Sequence, residues 1–162
     1  MLGEEIDNEE LAVSSEEDID EEEQYKKEVE GNTLYTHTEI NQSLFGTLEE
    51  LEEGYAKVIF TGAEEMSVDK RGMIHTGFIY GSANFAAMAS VNVATAILLV
   101  SKTNYLAPLG INDEAIFEAK CQQKNTRKRN VFVTGHVNNI KFFEGEFTIV
   151  VLDHHPLSLK LV

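Results

Sequence analysis

The chain has 162 residues, 43% of them hydrophobic, with a formal net charge of −15 and a single cysteine. That length and apolar content suit one domain with a real core, while one cysteine excludes an intrachain disulfide and a paired-cysteine metal knuckle. The charge is uneven: residues 1–30 hold 14 acidic residues against two lysines, and residues 31–162 hold 14 against 11 basic ones, so the remainder lacks the basic footprint of phosphate-dominated nucleic-acid binding.

Taken in order, residues 1–30 read as an acidic, largely disordered tail, with helix only near Glu21 to Glu30, because like charges repel and few apolar residues offset the entropy of ordering. The tail has no apolar h-region, so it is not expected to be a secretory signal, and a cytoplasmic, reducing location is expected. Residues 31–45 form a linker or short lead-in, 46–155 the main domain and 156–162 a C-terminal tail. Gly46 to Glu53 reads as a short capped helix or an amphipathic strand, and Tyr55 to Phe60 as a strand rich in β-formers. A second strand is expected over Glu65 to Asp69, followed by a turn at Asp69-Lys70-Arg71-Gly72.

The period then changes. Phe78, Ser82, Phe85, Ala86, Ala89 and Val93 follow helical spacing, with Gly81, Ala83, Ala87 and Ala94 between them. A helix over about Ile79 to Asn92 is predicted, lined with small residues that let a sheet approach closely. The apolar stretch from Phe85 to Val100 is interrupted by Ser90, Asn92 and Thr95 and is short of the roughly 20 apolar residues of a membrane span. Strands are predicted over Val93 to Asn104, buried on both faces at its centre, and over Ala115 to Gln123. A polar turn follows at Lys124 to Arg129. Val131, Val133, Gly135 and Val137 then alternate with Phe132, Thr134 and His136, and Glu144-Gly145 is expected to close a hairpin with a last strand over Phe147 to Leu152.

The order is thus two strands, one long buried helix and four antiparallel strands. With His75-Thr-Gly77-Phe-Ile-Tyr-Gly81-Ser-Ala83-Asn84 at the start of the helix, the chain resembles the hotdog superfamily: an α+β fold in which a curved antiparallel sheet wraps around one long central helix. The segment is similar to the His-Gly-Gly…Asp/Asn segment of phenylacetate-type acyl-CoA thioesterases. It is closer still to the hotdog effector domain of malonyl-CoA-responsive regulators of fatty-acid synthesis, and it resembles the flagellar-regulon hotdog proteins of Campylobacter-type bacteria. The resemblance covers roughly Gly46 to Asp153 and implies an acyl-CoA ligand, a homodimer or a pair of dimers, and no further cofactor. Two features depart from the regulator: its helix-turn-helix is absent, and the arginine that pairs with the malonyl carboxylate is replaced by His75.

The resemblance assigns His75 and Gly77 to the thioester carbonyl, with backbone N–H groups at the helix start as donors; as a donor His75 could instead contact a ligand carboxylate. His75 as a simple turn cap and Gly77 as a simple turn glycine are the competing readings. The thioesterase general base lies nine residues after the His, which here is Asn84. An amide can donate to an acyl oxygen but cannot act as a base near neutral pH, so a binding or sequestering protein is expected. The alternative is a thioesterase using His75, Asn84 for positioning and a base from elsewhere, with Glu64 or Glu65 as candidates. Lys124, Arg127, Lys128 and Arg129 place four positive charges in six residues; they either pair with the CoA phosphates or keep an exposed turn soluble. His136, Asp153, His154 and His155 lack metal-site spacing, so no metal is expected. Cys121 reads as a small core residue rather than a nucleophile.

Overall fold

The computed structural model describes residues 27–29 and 31–159. Most of the acidic segment therefore lies outside the described residues. Its end does not: Lys27–Val29 is a strand (β1), not a helix, and pairs with Asn32–Leu34 (β2). Leu34 from this lead-in is buried in the core. A one-turn helix follows at Gln42–Phe45 (α1).

Strands Thr47–Glu52 (β3) and Tyr55–Thr61 (β4) precede a 16-residue helix, Thr76–Val91 (α2). Strands Ala96–Tyr105 (β5), Glu114–Cys121 (β6), Lys128–Val137 (β7) and Ile140–Val151 (β8) follow. The six long strands form one antiparallel sheet in the order β3-β4-β6-β7-β8-β5, with α2 packed chiefly on β4, β6 and β7. This is the hotdog fold.

Period-two alternation builds the inner face. Ala115, Phe117, Ala119 and Cys121 of β6 and Val131 and Val133 of β7 are buried, and their neighbours point outward. α2 is buried on most of its circumference, from Ile79 through Val91, as expected of a helix apolar all round. Its small residues keep it close to the sheet. The opposite side of α2 is covered by residues 35–45. Tyr35 N donates to Asn92 Oδ1 (2.8 Å) and Asn92 Nδ2 to the Thr33 carbonyl (2.8 Å). The His37 ring stacks on Phe85, and Phe45 lies where a side chain on Gly81 would be.

Several expected bounds shift. The strand expected over 65–69 is instead a 3-10 turn at Glu64–Met66, while β3 supplies the first strand. The helix starts at Thr76 rather than Ile79, because His75 caps it. The expected strand over 93–104 starts at Ala96 and is not buried on both faces: β5 is a sheet edge, and Ile97, Leu99 and Val100 are 38%, 62% and 53% exposed. The last hairpin turns at Asn138-Asn139 (φ 49 and 63), not at Glu144-Gly145. A two-residue hairpin turn of the primed type needs positive φ at both positions, which Asn tolerates. Gly145 lies inside β8 opposite Val133, where a side chain would meet the Phe147 ring. Lys128 and Arg129 open β7 rather than completing a turn.

Candidate ligand-binding site

The start of α2 is held by the chain on both sides. Ile74 N donates to the Leu109 carbonyl (2.9 Å) and His75 N to the Met66 carbonyl (2.9 Å). The His75 side chain turns back as the N-cap: Nδ1 accepts from Gly77 N at 2.8 Å. Glycine permits this closeness, since a Cβ there would sit 2.9 Å from Nδ1. Phe78 N donates to the His75 carbonyl (3.1 Å). The Gly77 N–H, assigned by resemblance to a ligand carbonyl, is therefore already occupied. The Thr76 N–H has no hydrogen-bond partner among the described residues. With Nδ1 accepting, Nε2 is the ring nitrogen left to donate.

These donors face a cleft of about 370 Å³ lined by Val68, Met73, His75, Thr76, Ile79, Tyr105 and Leu106, among others. Val68, Met73, Tyr105 and Leu106 are each 41–53% exposed, a cluster of accessible apolar surface of the kind that marks binding grooves. One wall is the end of β5, so the cleft opens beside the sheet edge.

Asn84 lies elsewhere. With Tyr80, Ala87 and Val91 it follows an i, i+4, i+7, i+11 stripe along α2, about 13 Å along the axis from His75 at 1.5 Å per residue, and it does not line the cleft. Tyr80 ties this stripe to the edge strand through its hydroxyl and Ser101 Oγ (2.6 Å). Asn84 Oδ1 is buried without a hydrogen-bond partner, the one such side-chain atom among the described residues. Buried acceptors are nearly always paired, so this carbonyl calls for a donor from outside the protomer.

The basic cluster sits at the far end of α2. Cys121 N donates to the Gly54 carbonyl (2.8 Å), Val151 N to the Arg127 carbonyl (2.8 Å) and Leu152 N to the Thr95 carbonyl (3.2 Å), which places residues 122–128 near the helix C-terminus. Arg127 Nη2 donates to both carboxylate oxygens of Asp153 (2.8 and 2.9 Å) and holds that carboxyl below its usual range. Lys124 pairs with Glu53 at 3.6 Å, Arg129 Nε donates to the Thr126 carbonyl (3.0 Å), and Lys128 is exposed. Sixteen helical residues span about 24 Å, so one protomer does not bring this cluster to its own His75.

Glu64 and Glu65, both exposed, sit in the 3-10 turn whose Met66 carbonyl accepts from His75 N. His136, His154 and His155 are not gathered: no group of three or more His, Cys, Asp or Glu among the described residues could hold a metal ion. His155 caps the 3-10 turn Pro156–Ser158, accepting from Leu157 N at 3.1 Å. Burial pushes the Cys121 thiol up, away from a reactive thiolate.

Sequence reasoning missed Thr76 and the apolar rim, because exposed hydrophobics in loops carry no periodicity. It also missed His37. That residue has φ 53, its ring lies 6.2 Å from Phe85, Nδ1 is 2.8 Å from Thr36 Oγ, and burial lowers its pKa.

No protein-family profile matches the chain. Among curated proteins it is 37% identical over 119 residues to the methylthioribose-1-phosphate isomerase of Aquifex aeolicus, a match covering 74% of this chain but only 26% of the isomerase. It is 26% identical over 139 residues to the transcription factor FapR of Thermoanaerobacter sp., covering 85% of this chain and 70% of that protein. Among solved structures, Cj0977, a sigma28-regulated virulence protein of Campylobacter jejuni, is 39% identical with a TM-score of 0.75, covering 76% of this chain and 88% of that one. A hypothetical thioesterase from Streptococcus pneumoniae, solved with coenzyme A, shares the fold at 18% identity and a TM-score of 0.63, covering 71% of this chain and 93% of that one. No helix among the described residues is long and apolar enough to cross a membrane.

Proposed function

The chain belongs to the hotdog-fold, thioesterase-like family that includes Cj0977, and from that premise we propose that it is a cytoplasmic acyl-CoA-binding homodimer that holds its thioester without hydrolysing it. The observation that carries this reading is Asn84. An amide occupies the helix position where the related hydrolases place a carboxylate, and its buried Oδ1 is left without a donor. An amide can position an acyl oxygen or a ligand N–H, but it does not take a proton from water near neutral pH.

The exposed edge supports the dimer. β5 exposes ten residues of unpaired ladder with Ile97, Leu99 and Val100 accessible, a liability that a second copy removes. Two-fold pairing of identical edges is antiparallel, so the Ala96 end of one β5 meets the Tyr105 end of the other. The basic residues at the start of β7 lie two strands from β5 at its Ala96 end, since Val150 of β8 pairs with both Ile97 and Lys128. In the dimer they approach the partner's cleft, where Lys124, Arg127, Lys128 and Arg129 would meet CoA phosphates. The coenzyme A bound to the Streptococcus pneumoniae relative supports a CoA ligand. Control with the flagellar genes, by analogy with sigma28-regulated Cj0977, belongs to the same proposal, as does the absence of metal, further cofactor and nucleic-acid ligand. The second reading is a thioesterase whose base is Glu64 or Glu65, and it is favoured by the contact of their turn with His75.

Thiol release from an acyl-CoA panel by wild type, Asn84→Ala and Asn84→Asp separates the two. Negligible turnover is expected for wild type and Asn84→Ala. Asn84→Asp is expected to gain activity within the roughly 10²–10⁴-fold range of general-base assistance. Robust wild-type turnover abolished by Glu64→Gln or Glu65→Gln would establish the second reading.

A further inference from the structure

We infer that the cleft at the start of α2 receives an uncharged, apolar acyl group and discriminates against dicarboxylic acyl groups such as malonyl or succinyl; this rests on the acyl-CoA reading above. The cleft of about 370 Å³ has no Lys, Arg, Asp or Glu in its lining. Its polar groups are the Thr76 N–H and hydroxyl and the His75 ring at the end of the helix, with the Tyr105 hydroxyl from β5, none of them a lysine, arginine or carboxylate. The ring accepts from Gly77 N through Nδ1, which leaves Nε2 as the ring nitrogen that can donate. The other lining side chains are apolar, among them Val68, Met73 and Leu106.

A thioester carbonyl placed against the Thr76 N–H and the His75 ring would direct its acyl substituent onto this surface. A terminal carboxylate carried there would lose hydration with no cation in the lining to meet it, the basic residues of the second copy being engaged by the CoA phosphates in the proposed dimer, and this is strongly unfavourable. The charged residues of the adjoining segment, Glu64, Glu65, Asp69, Lys70 and Arg71, all lie outside the lining, and three of the five are carboxylates. By contrast, Val68, Met73, Tyr105 and Leu106 remain 41–53% exposed in the protomer, so a hydrocarbon chain would cover surface that is now wet.

The test is calorimetric titration of the full-length chain with free CoA and with acetyl-, butyryl-, hexanoyl-, octanoyl-, malonyl- and succinyl-CoA. Affinity is expected to rise about two- to fourfold per methylene along the uncharged series, the gain from removing a CH₂ partly or fully from water. Malonyl- and succinyl-CoA are expected to bind no better than free CoA. In Leu106→Lys, at a half-exposed position that tolerates the change, octanoyl-CoA should weaken at least about fivefold and malonyl-CoA should tighten. Free CoA binding with no dependence on chain length would overturn the cleft assignment alone, as would malonyl-CoA binding more tightly than hexanoyl-CoA. Failure of free CoA and of every thioester to bind would overturn the acyl-CoA reading along with it.

Discussion

At His75 a single ring does two jobs that substitution can separate. As N-cap it satisfies the Gly77 N–H; as a lining residue of the cleft it is proposed to donate to the ligand through Nε2. Loss of a good N-cap costs about 1 kcal/mol, so His75→Ala should lower the melting temperature by roughly 2–4 °C for a domain of this size. His75→Asn restores a strong cap but moves the outward donor. Its melting temperature should return toward wild type while acyl-CoA affinity stays reduced. Equal recovery of both in differential scanning and titration would reduce His75 to a cap. His37 gives a second test at this scale. Burial lowers its pKa below the usual 6.5, so below about pH 6.5 the unfolded chain takes up a proton there that the folded chain refuses. This term therefore removes stability as pH falls from 7.5 toward 5 and contributes nothing above both pKa values. His37→Asn keeps a residue suited to φ 53 and should flatten that part of the pH–stability curve. An unchanged slope would mean that His37 is not the group responsible. His75 and Asn84 could be singled out in the sequence because their spacing matches a known segment. Thr76 and His37 could not, because which N–H stays open and which ring becomes buried depend on chain segments far apart in sequence.

Among the elements, α2 and the strands with clean period-two alternation, β6 and β7, were legible from pattern alone. β5 and β8 depart from the sequence reading for different reasons. An apolar run shows that surface is hidden without showing what hides it, and the run in β5 ends on a sheet edge that a second chain would cover. For β8, Gly145 resembles a turn signal, yet it is a strand glycine packed against Phe147 and opposite Val133; the actual turn is an Asn pair. The edge assignment has a direct consequence. Leu99→Lys with Val100→Lys places charge on β5 at two positions more than half exposed in the protomer, a common way of blocking edge pairing. The double variant should keep its far-ultraviolet spectrum but shift to a monomer in light scattering, and acyl-CoA binding should fall with it if the partner supplies the phosphate contacts. A variant that remains dimeric would place the interface on another surface.

At the scale of the whole molecule, the cleft, the orphaned Asn84 carbonyl and the basic loop do not meet within one protomer. The loop lies about a helix length from the cleft, and its charges are partly held by Asp153 and Glu53. An antiparallel β5 pair brings the loop end of one copy toward the cleft end of the other, so a working site is expected only in the assembled protein. The fold class was legible because element order and one helix-start segment suffice for it, whereas the composition of the site was not, because in the proposed dimer it is divided between copies. Native mass spectrometry of the full-length chain after incubation with octanoyl-CoA examines binding, assembly and survival of the thioester together. The expected spectrum is a dimer carrying intact octanoyl-CoA, with the thioester mass unchanged after an hour. A bare monomer, or a dimer carrying only free CoA with octanoate released, would contradict the account.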